Sequence, residues 1–265
     1  MRRAPAAALA LALLALAGCT GPTTSPASPG AAPTSGSPSA SADAHRADTP
    51  TATPGATSTP RPATTTVTLR GPAGRGTLTV EAPPGATVTR RSAASGSTRV
   101  TVGHLTRGDR VVVRATEPSG ADLRDELDGT VAVASGGGAT LGGLARPRGG
   151  DVQVTRGRLV VTVTGPGPVT LWAGTGTPRS AVWGDHDGGR SLAVDPNAWA
   201  RAAGLAGGEA TWSALVVERP DADRAGMHDQ LVCHALGAPD KPTWNLEPWR
   251  PDVGLVATLA ARCNP

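Results

Sequence analysis

From Thr64 to Gly174 the chain runs in short stretches that alternate Val, Leu or Ala with Thr or Arg. They are the segments 65–70, 76–82, 98–104, 109–116, 129–135, 151–165 and 168–174, with Gly- and Pro-rich turns about every 8–15 residues. Period-two alternation puts apolar side chains on one face of a strand and polar ones on the other. Many short strands with Gly/Pro turns pair antiparallel, so this pattern predicts an antiparallel β-sandwich-like region over 64–175. The core must be built from Val, Leu and Trp, because the chain has no Phe, Tyr or Ile.

The segment before it cannot fold in the same way. Of the 44 residues from Thr20 to Ala63, 39 are Ala, Gly, Ser, Thr or Pro, and none is Val, Leu, Met or Trp. Such a composition cannot bury enough apolar area to offset the entropy of ordering it. Residues 19–63 therefore read as a disordered tether, extended by its prolines.

Residues 1–18 read as a signal peptide. Arg2 and Arg3 precede a 14-residue apolar stretch, Ala4 to Ala17. That is shorter than the roughly 20 residues needed to span a bilayer, and it has the length of an export signal's hydrophobic region. It ends in Leu16-Ala17-Gly18-Cys19, which resembles the bacterial lipobox. Cys19 is thus the expected lipidation site, and a diacylated N-terminus anchors a chain stably to a lipid bilayer. The expected location is extracytoplasmic and membrane-tethered.

Rare residues gather beyond residue 170: all six Trp, all three Asn, the single Lys (Lys241), three of five His and two of three Cys. The rest is rich in Ala, Gly, Pro and Arg, the drift of a GC-rich coding sequence, so residues that resist it mark a place where chemistry is needed. Segment 195–203 reads as a short helix ended by Gly204, 211–218 as a buried strand, and 221–236 as a helix capped by Asp221. Met227, Leu231 and Ala235 share one face of that last helix. Prolines at 239, 242, 248 and 251 forbid regular helix there. The last 14 residues lean to helix, with strand as the alternative. The fold class is therefore mainly β, with a small disulfide-bridged α+β module over 176–265.

Once Cys19 is lipidated, Cys233 and Cys263 are the thiols left, and in an exported chain they are expected to bridge. Two free thiols in a catalytic or metal pair are the alternative. Cys233-His234, Lys241-Pro242-Thr243-Trp244-Asn245-Leu246-Glu247, Trp249-Arg250-Pro251 and Cys263-Asn264-Pro265 resemble the C-terminal module of actinobacterial secreted proteins grouped as domain of unknown function 2599. The stretch 183–199 resembles the same family. The resemblance implies an extracytoplasmic location and a bridged cysteine pair, and it implies no activity.

For function, the loop admits two readings. Lys241, Glu247 and Arg250 can pair with one another while Trp244 and Trp249 pack over the bridge. Alternatively His234, Lys241, Trp244, Asn245, Glu247, Trp249 and Arg250 form a binding patch for an envelope glycan or protein, with Trp and Arg as contact residues. A cell-wall-acting hydrolase using His234, Lys241 or Glu247 is the alternative function, although the chain has no GxSxG, HExxH, P-loop or GxGxxG motif. No cofactor and no metal are expected, since Asp185-His186-Asp187 reads as a turn. No nucleic-acid partner is expected either, for no run of basic residues breaks the sequence.

Overall fold

The computed structural model describes residues 61–155 and 157–265. The signal peptide, Cys19 and the tether as far as residue 60 lie outside the described residues. The alternating runs form strands β1 (Ala63–Gly71), β2 (Gly74–Ala82), β4 (Thr98–Gly103), β5 (Arg110–Glu117), β7 (Val131–Ala134), β9 (Gly150–Thr155), β10 (Arg158–Val163) and β11 (Val169–Gly174). Three further strands complete this part: β3 (Thr87–Ser92), β6 (Asp122–Asp125) and β8 (Thr140–Arg148).

They make two antiparallel sheets, ordered β1-β2-β5-β10-β9 and β3-β4-β11-β8-β7-β6. Val and Leu from the two inner faces form one core: Leu69, Leu78, Val113 and Leu159 from the first sheet meet Val102, Val131, Leu144 and Leu171 from the second. Each fully buried Val or Leu contributes about 1.5–3 kcal/mol relative to exposure, so a core without Phe, Tyr or Ile suffices. The fold is the antiparallel, sandwich-like architecture that the alternation predicts.

The C-terminal part adds a hairpin, β12 (Ser180–His186) and β13 (Gly189–Asp195), with β14 (Trp244–Leu246) on the open side of β13. Its helices are α1 (Ala198–Ala202), α2 (Gly204–Glu218), α3 (Met227–Gly237) and α4 (Leu255–Ala260). Residues 211–218, expected as a buried strand, are instead the second half of α2. The helix starts in Gly204-Leu205-Ala206-Gly207-Gly208, whose small residues permit close packing. A Cβ on Gly207 would collide with the Ala200 carbonyl, and one on Gly208 would press on the Ala235 methyl of α3. Helix α3 begins at Met227, after a single 3₁₀ turn at Pro220–Ala222, so Asp221 does not cap it. Met227, Leu231 and Ala235 face the core of the sheet as expected. In α4 the leucine row faces outward at Leu259, and Thr258 is the buried position. Cys233 on α3 is bonded to Cys263, closing the 30-residue separation between them.

The two parts are joined by packing and by caps. Trp199, Ala200, Ala203 and Ala210 pack on Ala145 and Trp172 of the second sheet. The N-terminus of α2 is capped from the β6–β7 turn: Leu205 N–H donates to Asp128 Oδ2 (2.8 Å) and Ala206 N–H to Thr130 Oγ1 (3.1 Å). Asn197 caps α1 through its Oδ1 and donates through Nδ2 to the Thr175 and Thr177 carbonyls.

Arg201 then fixes the proline loop. Its Nε donates to the Pro196 carbonyl, Nη1 to the Pro239 and Lys241 carbonyls, and Nη2 to Asp195 Oδ1 and the Pro242 carbonyl. All five guanidinium N–H groups are used. Lysine offers three donors without the fork geometry, so Arg201→Lys should cost roughly 2–4 kcal/mol of stability, read by urea unfolding. A midpoint equal to that of the wild type would disprove the role of the clamp.

Candidate functional site

The hairpin β12–β13 turns through His186-Asp187-Gly188-Gly189, with Asp187 at φ 50° and Gly188 at φ 83°. Two central residues at positive φ are the pattern of a tight type I′ connection, and Asp-Gly is among its favoured pairs. The turn places His186 and Asp187 at the hairpin tip. Strand β14 alternates buried Trp244, half-buried Asn245 and buried Leu246, its register on β13 pairing Trp244 with Val194 and Leu246 with Leu192.

Glu247 follows directly and is almost fully buried. Its backbone is held by the Gln230 side chain of α3, which donates to the Glu247 carbonyl (3.0 Å) and accepts from its N–H (2.8 Å). A buried carboxylate is costly unless charge-paired. Here Arg250 Nε donates to Oε2 at 2.5 Å, and His186 Nδ1 lies 3.4 Å from Oε1. The same guanidinium reaches Asp187 Oδ2 (3.3 Å), whose Oδ1 lies 3.3 Å from His186 Nδ1. Arg250 also rests over the Trp249 indole at 4.5 Å. That indole seats on Gly189, where any Cβ would collide with it.

These groups border a polar recess of about 120 Å³. Four residues nominated from the sequence line it: His234, Lys241, Asn245 and Glu247. His186, Asp187, Thr243 and Asn264 complete the wall. His234 is buried, and its Nε2 lies 3.1 Å from the Asn245 carbonyl. A carbonyl only accepts, so Nε2 carries the proton and Nδ1 is a bare acceptor; Nδ1 is buried with no partner among the described residues. Burial, aided by the nearby Lys241 charge, holds the His234 pKa down at about 4. Thr243 Oγ1 donates to Asn245 Oδ1 (3.0 Å), which fixes the amide with its N–H groups as the remaining donors. Among the described residues Lys241 makes no ion pair.

The recess thus offers both charge signs, amide donors and an unprotonated imidazole. His186, Asp187 and Glu247 each present a ligand atom within 4.8 Å of the others, although Arg250 already occupies the second oxygen of both carboxylates. Such a mixed site suits a small polar or zwitterionic group better than a bare cation.

Not all nominated residues meet there. Trp244 is fully buried in the core of the three-stranded sheet, so it offers no exposed ring to a ligand. Trp249 is 47% exposed and lies beside the hairpin tip. Of the expected charge partners, Glu247 and Arg250 pair, whereas Lys241 does not. His186, Asp187, Thr243 and Asn264 are wall residues that the sequence alone does not nominate. The signal for Asn264 was present in the rarity of Asn, but a two-residue turn gives no sign of which loop will fold beside it.

Residues 179–265 match the family described as protein of unknown function (DUF2599). Uncharacterized proteins of Mycobacterium bovis and Mycobacterium tuberculosis are 42% identical over 93 residues, covering 32% of this chain and 61% of theirs. An uncharacterized protein of Mycobacterium leprae is 38% identical over 81 residues, covering 29% of this chain and 60% of its own. The chain therefore aligns with about three fifths of the length of these relatives. No solved structure matches the chain.

The state of His234 has a consequence for stability. Its folded pKa of about 4 lies below the ordinary value near 6.5, so the unfolded chain takes up its proton first as pH falls. The contribution is complete above about pH 6.5 and is lost on acidification toward pH 4, by up to about 3 kcal/mol. His228 acts with the opposite sign, since its hydrogen bond to Glu209 raises its pKa, and it is half-exposed. Comparing urea unfolding of the chain and of His234→Gln at pH 7.5 and 4.5 isolates the first effect. Equal losses in both proteins would refute it.

Proposed function

We propose that this chain is a membrane-anchored extracytoplasmic lipoprotein whose C-terminal module binds a component of the cell envelope without transforming it. The carrying observation is the convergence of His234, Lys241, Asn245 and Glu247 on one polar recess, with the exposed Trp249 indole beside its hairpin wall. Trp249 offers a ring face for a sugar or apolar group, and the recess offers donors and charge for a polar substituent. A volume near 120 Å³ admits a small terminal group, such as an amide, a carboxylate or an ammonium. The ligand class is accordingly an envelope glycan or a peptide borne on one.

Binding is favoured over the hydrolase alternative by the state of the candidate groups. Glu247 is locked by Arg250 and Gln230, and His234 at a pKa near 4 is a weak base. The Thr243 hydroxyl is committed to Asn245. A site with no loose nucleophile and a rigid carboxylate is made to hold a ligand.

Location and binding are tested separately. Cys19→Ser should move the protein from the membrane fraction to the soluble exported fraction; continued membrane retention would overturn the lipid anchor. For the recess, Lys241→Ala with Trp249→Ala is the informative pair, since both side chains are exposed and their loss leaves the core intact. Native envelope pull-down with this variant should lose about tenfold or more of the captured material. Undiminished capture by a folded variant would reject the recess.

A further inference from the structure

The outer face of the six-stranded sheet holds a second site. Helix α2 covers it over β8 and β7 and α1 reaches β11 at Trp172 and Gly174, leaving β3, β4 and the outer edge of Trp172 uncovered. Register sets a row of side chains across that open side: Arg91 of β3 stands opposite Arg99 of β4, and Arg99 opposite Trp172 of β11. In the next row Thr170 of β11 stands opposite Arg148 of β8. Arg99 lies flat on the Trp172 indole, 3.9 Å from its centre.

Two recesses adjoin at this stacked pair. One, of about 280 Å³, is lined by Arg99, Arg146, Arg148, Thr170 and Trp172. The other, of about 250 Å³, is lined by Arg91, Arg99 and Trp172 with Ser92, Ser95 and Ser97, whose hydroxyls bond to Thr98 (Ser92) and to each other (Ser95, Ser97). Among the described residues no carboxylate lines either one. Among the described residues none of Arg91, Arg99, Arg146 and Arg148 has an ion-pair partner, while Arg146 also borders a neighbouring recess containing Asp125, Glu126 and Asp151. Like charges directly opposite in a sheet destabilise it. Stacking on Trp172 orients Arg99 but leaves its charge uncompensated. The arrangement is explained if an external anion completes it.

We propose that this face binds a polyanionic glycan, a sugar chain carrying carboxylates or phosphodiesters, along the β3–β4–β11–β8 row. Guanidinium forks bind carboxylate and phosphate oxygens bidentately. Two recesses side by side, each with its own arginine beyond the shared Arg99, fit successive charged units of a polymer. The serine hydroxyls supply partners for sugar or polyol oxygens. The choice of a glycan over a nucleic acid rests on the extracytoplasmic reading above.

The test titrates the purified full chain, by tryptophan fluorescence, with polygalacturonate, poly(ribitol phosphate), neutral dextran, methyl-esterified polygalacturonate and single-stranded DNA. At least one of the two polyanionic glycans should bind, with affinity falling steeply between about 50 and 200 mM salt. Dextran and the esterified polymer should not bind, and DNA should bind more weakly than the glycan. Arg99→Ala with Arg148→Ala should weaken binding about tenfold or more, whereas Arg75→Ala, which removes an exposed charge from β2 of the other sheet, should leave it unchanged. Should the double variant unfold, Arg148→Gln alone and the esterified polymer carry the same comparison. The proposal is overturned by failure of both polyanions, by equal binding of the esterified polymer, by an unaltered affinity in a folded arginine variant, or by tighter binding of DNA.

Discussion

A single guanidinium organises the C-terminal part of the chain. Arg201 projects from the last turn of a five-residue helix and spends all five of its N–H groups on oxygens of two separate segments, 195–196 and 239–242. A loop with four prolines has few N–H groups with which to bind itself, and its carbonyls need donors from elsewhere. Arg201 supplies them, and β14 can then lie on β13 with Trp244 in the core. Glu247, Arg250 and the recess are set by that placement. The site therefore depends on a side chain that is not part of its wall and holds it only through backbone carbonyls, that of Lys241 included.

Within the recess a second guanidinium plays the complementary part. Arg250 neutralises Glu247 and reaches Asp187 on the hairpin tip, tying β14, the following loop and β12 through one planar group. Truncating either partner of a buried pair leaves an uncompensated charge. The geometry of Glu247 is further over-determined by Gln230, so the carboxylate has little freedom to move. Rigidity of this kind favours recognition, because few rotamers remain to be frozen when a ligand arrives.

The strands that alternate are legible from sequence, most because they expose one face and bury the other, and β7, buried throughout, because it alternates Val with Ala. Those that do not alternate were hidden. Strand β8 is buried on both faces from Thr140 to Ala145, between the sandwich core and α2, and it contains Gly142, Gly143 and Pro147. Nothing local in it signals a strand. Helix α2 is hidden in the sequence because Val216 and Val217 favour strands while Gly207 and Gly208 disfavour helix; its glycines answer to contacts with Ala200 and Ala235 that no local pattern reveals. The site divides in the same way. Residues with distinctive chemistry in one contiguous motif were found, whereas His186 and Asp187 join it only through tertiary pairing. Trp244 shows the converse error: its rarity marks it as needed, and the need is core packing.

The capping of α2 by Asp128 and Thr130 bears on how such a module travels between proteins. The family match begins at Arg179, yet the N–H groups that open α2 are satisfied by residues some fifty positions before that start, and Trp199 rests on Trp172. The unit that is recognisable in sequence is thus not the unit that is closed in space. Any chain that carries this module on a different partner must bring its own acceptors for that helix start and its own surface for that indole. The junction, no less than the recess, is what natural recombination of the module would have to reinvent.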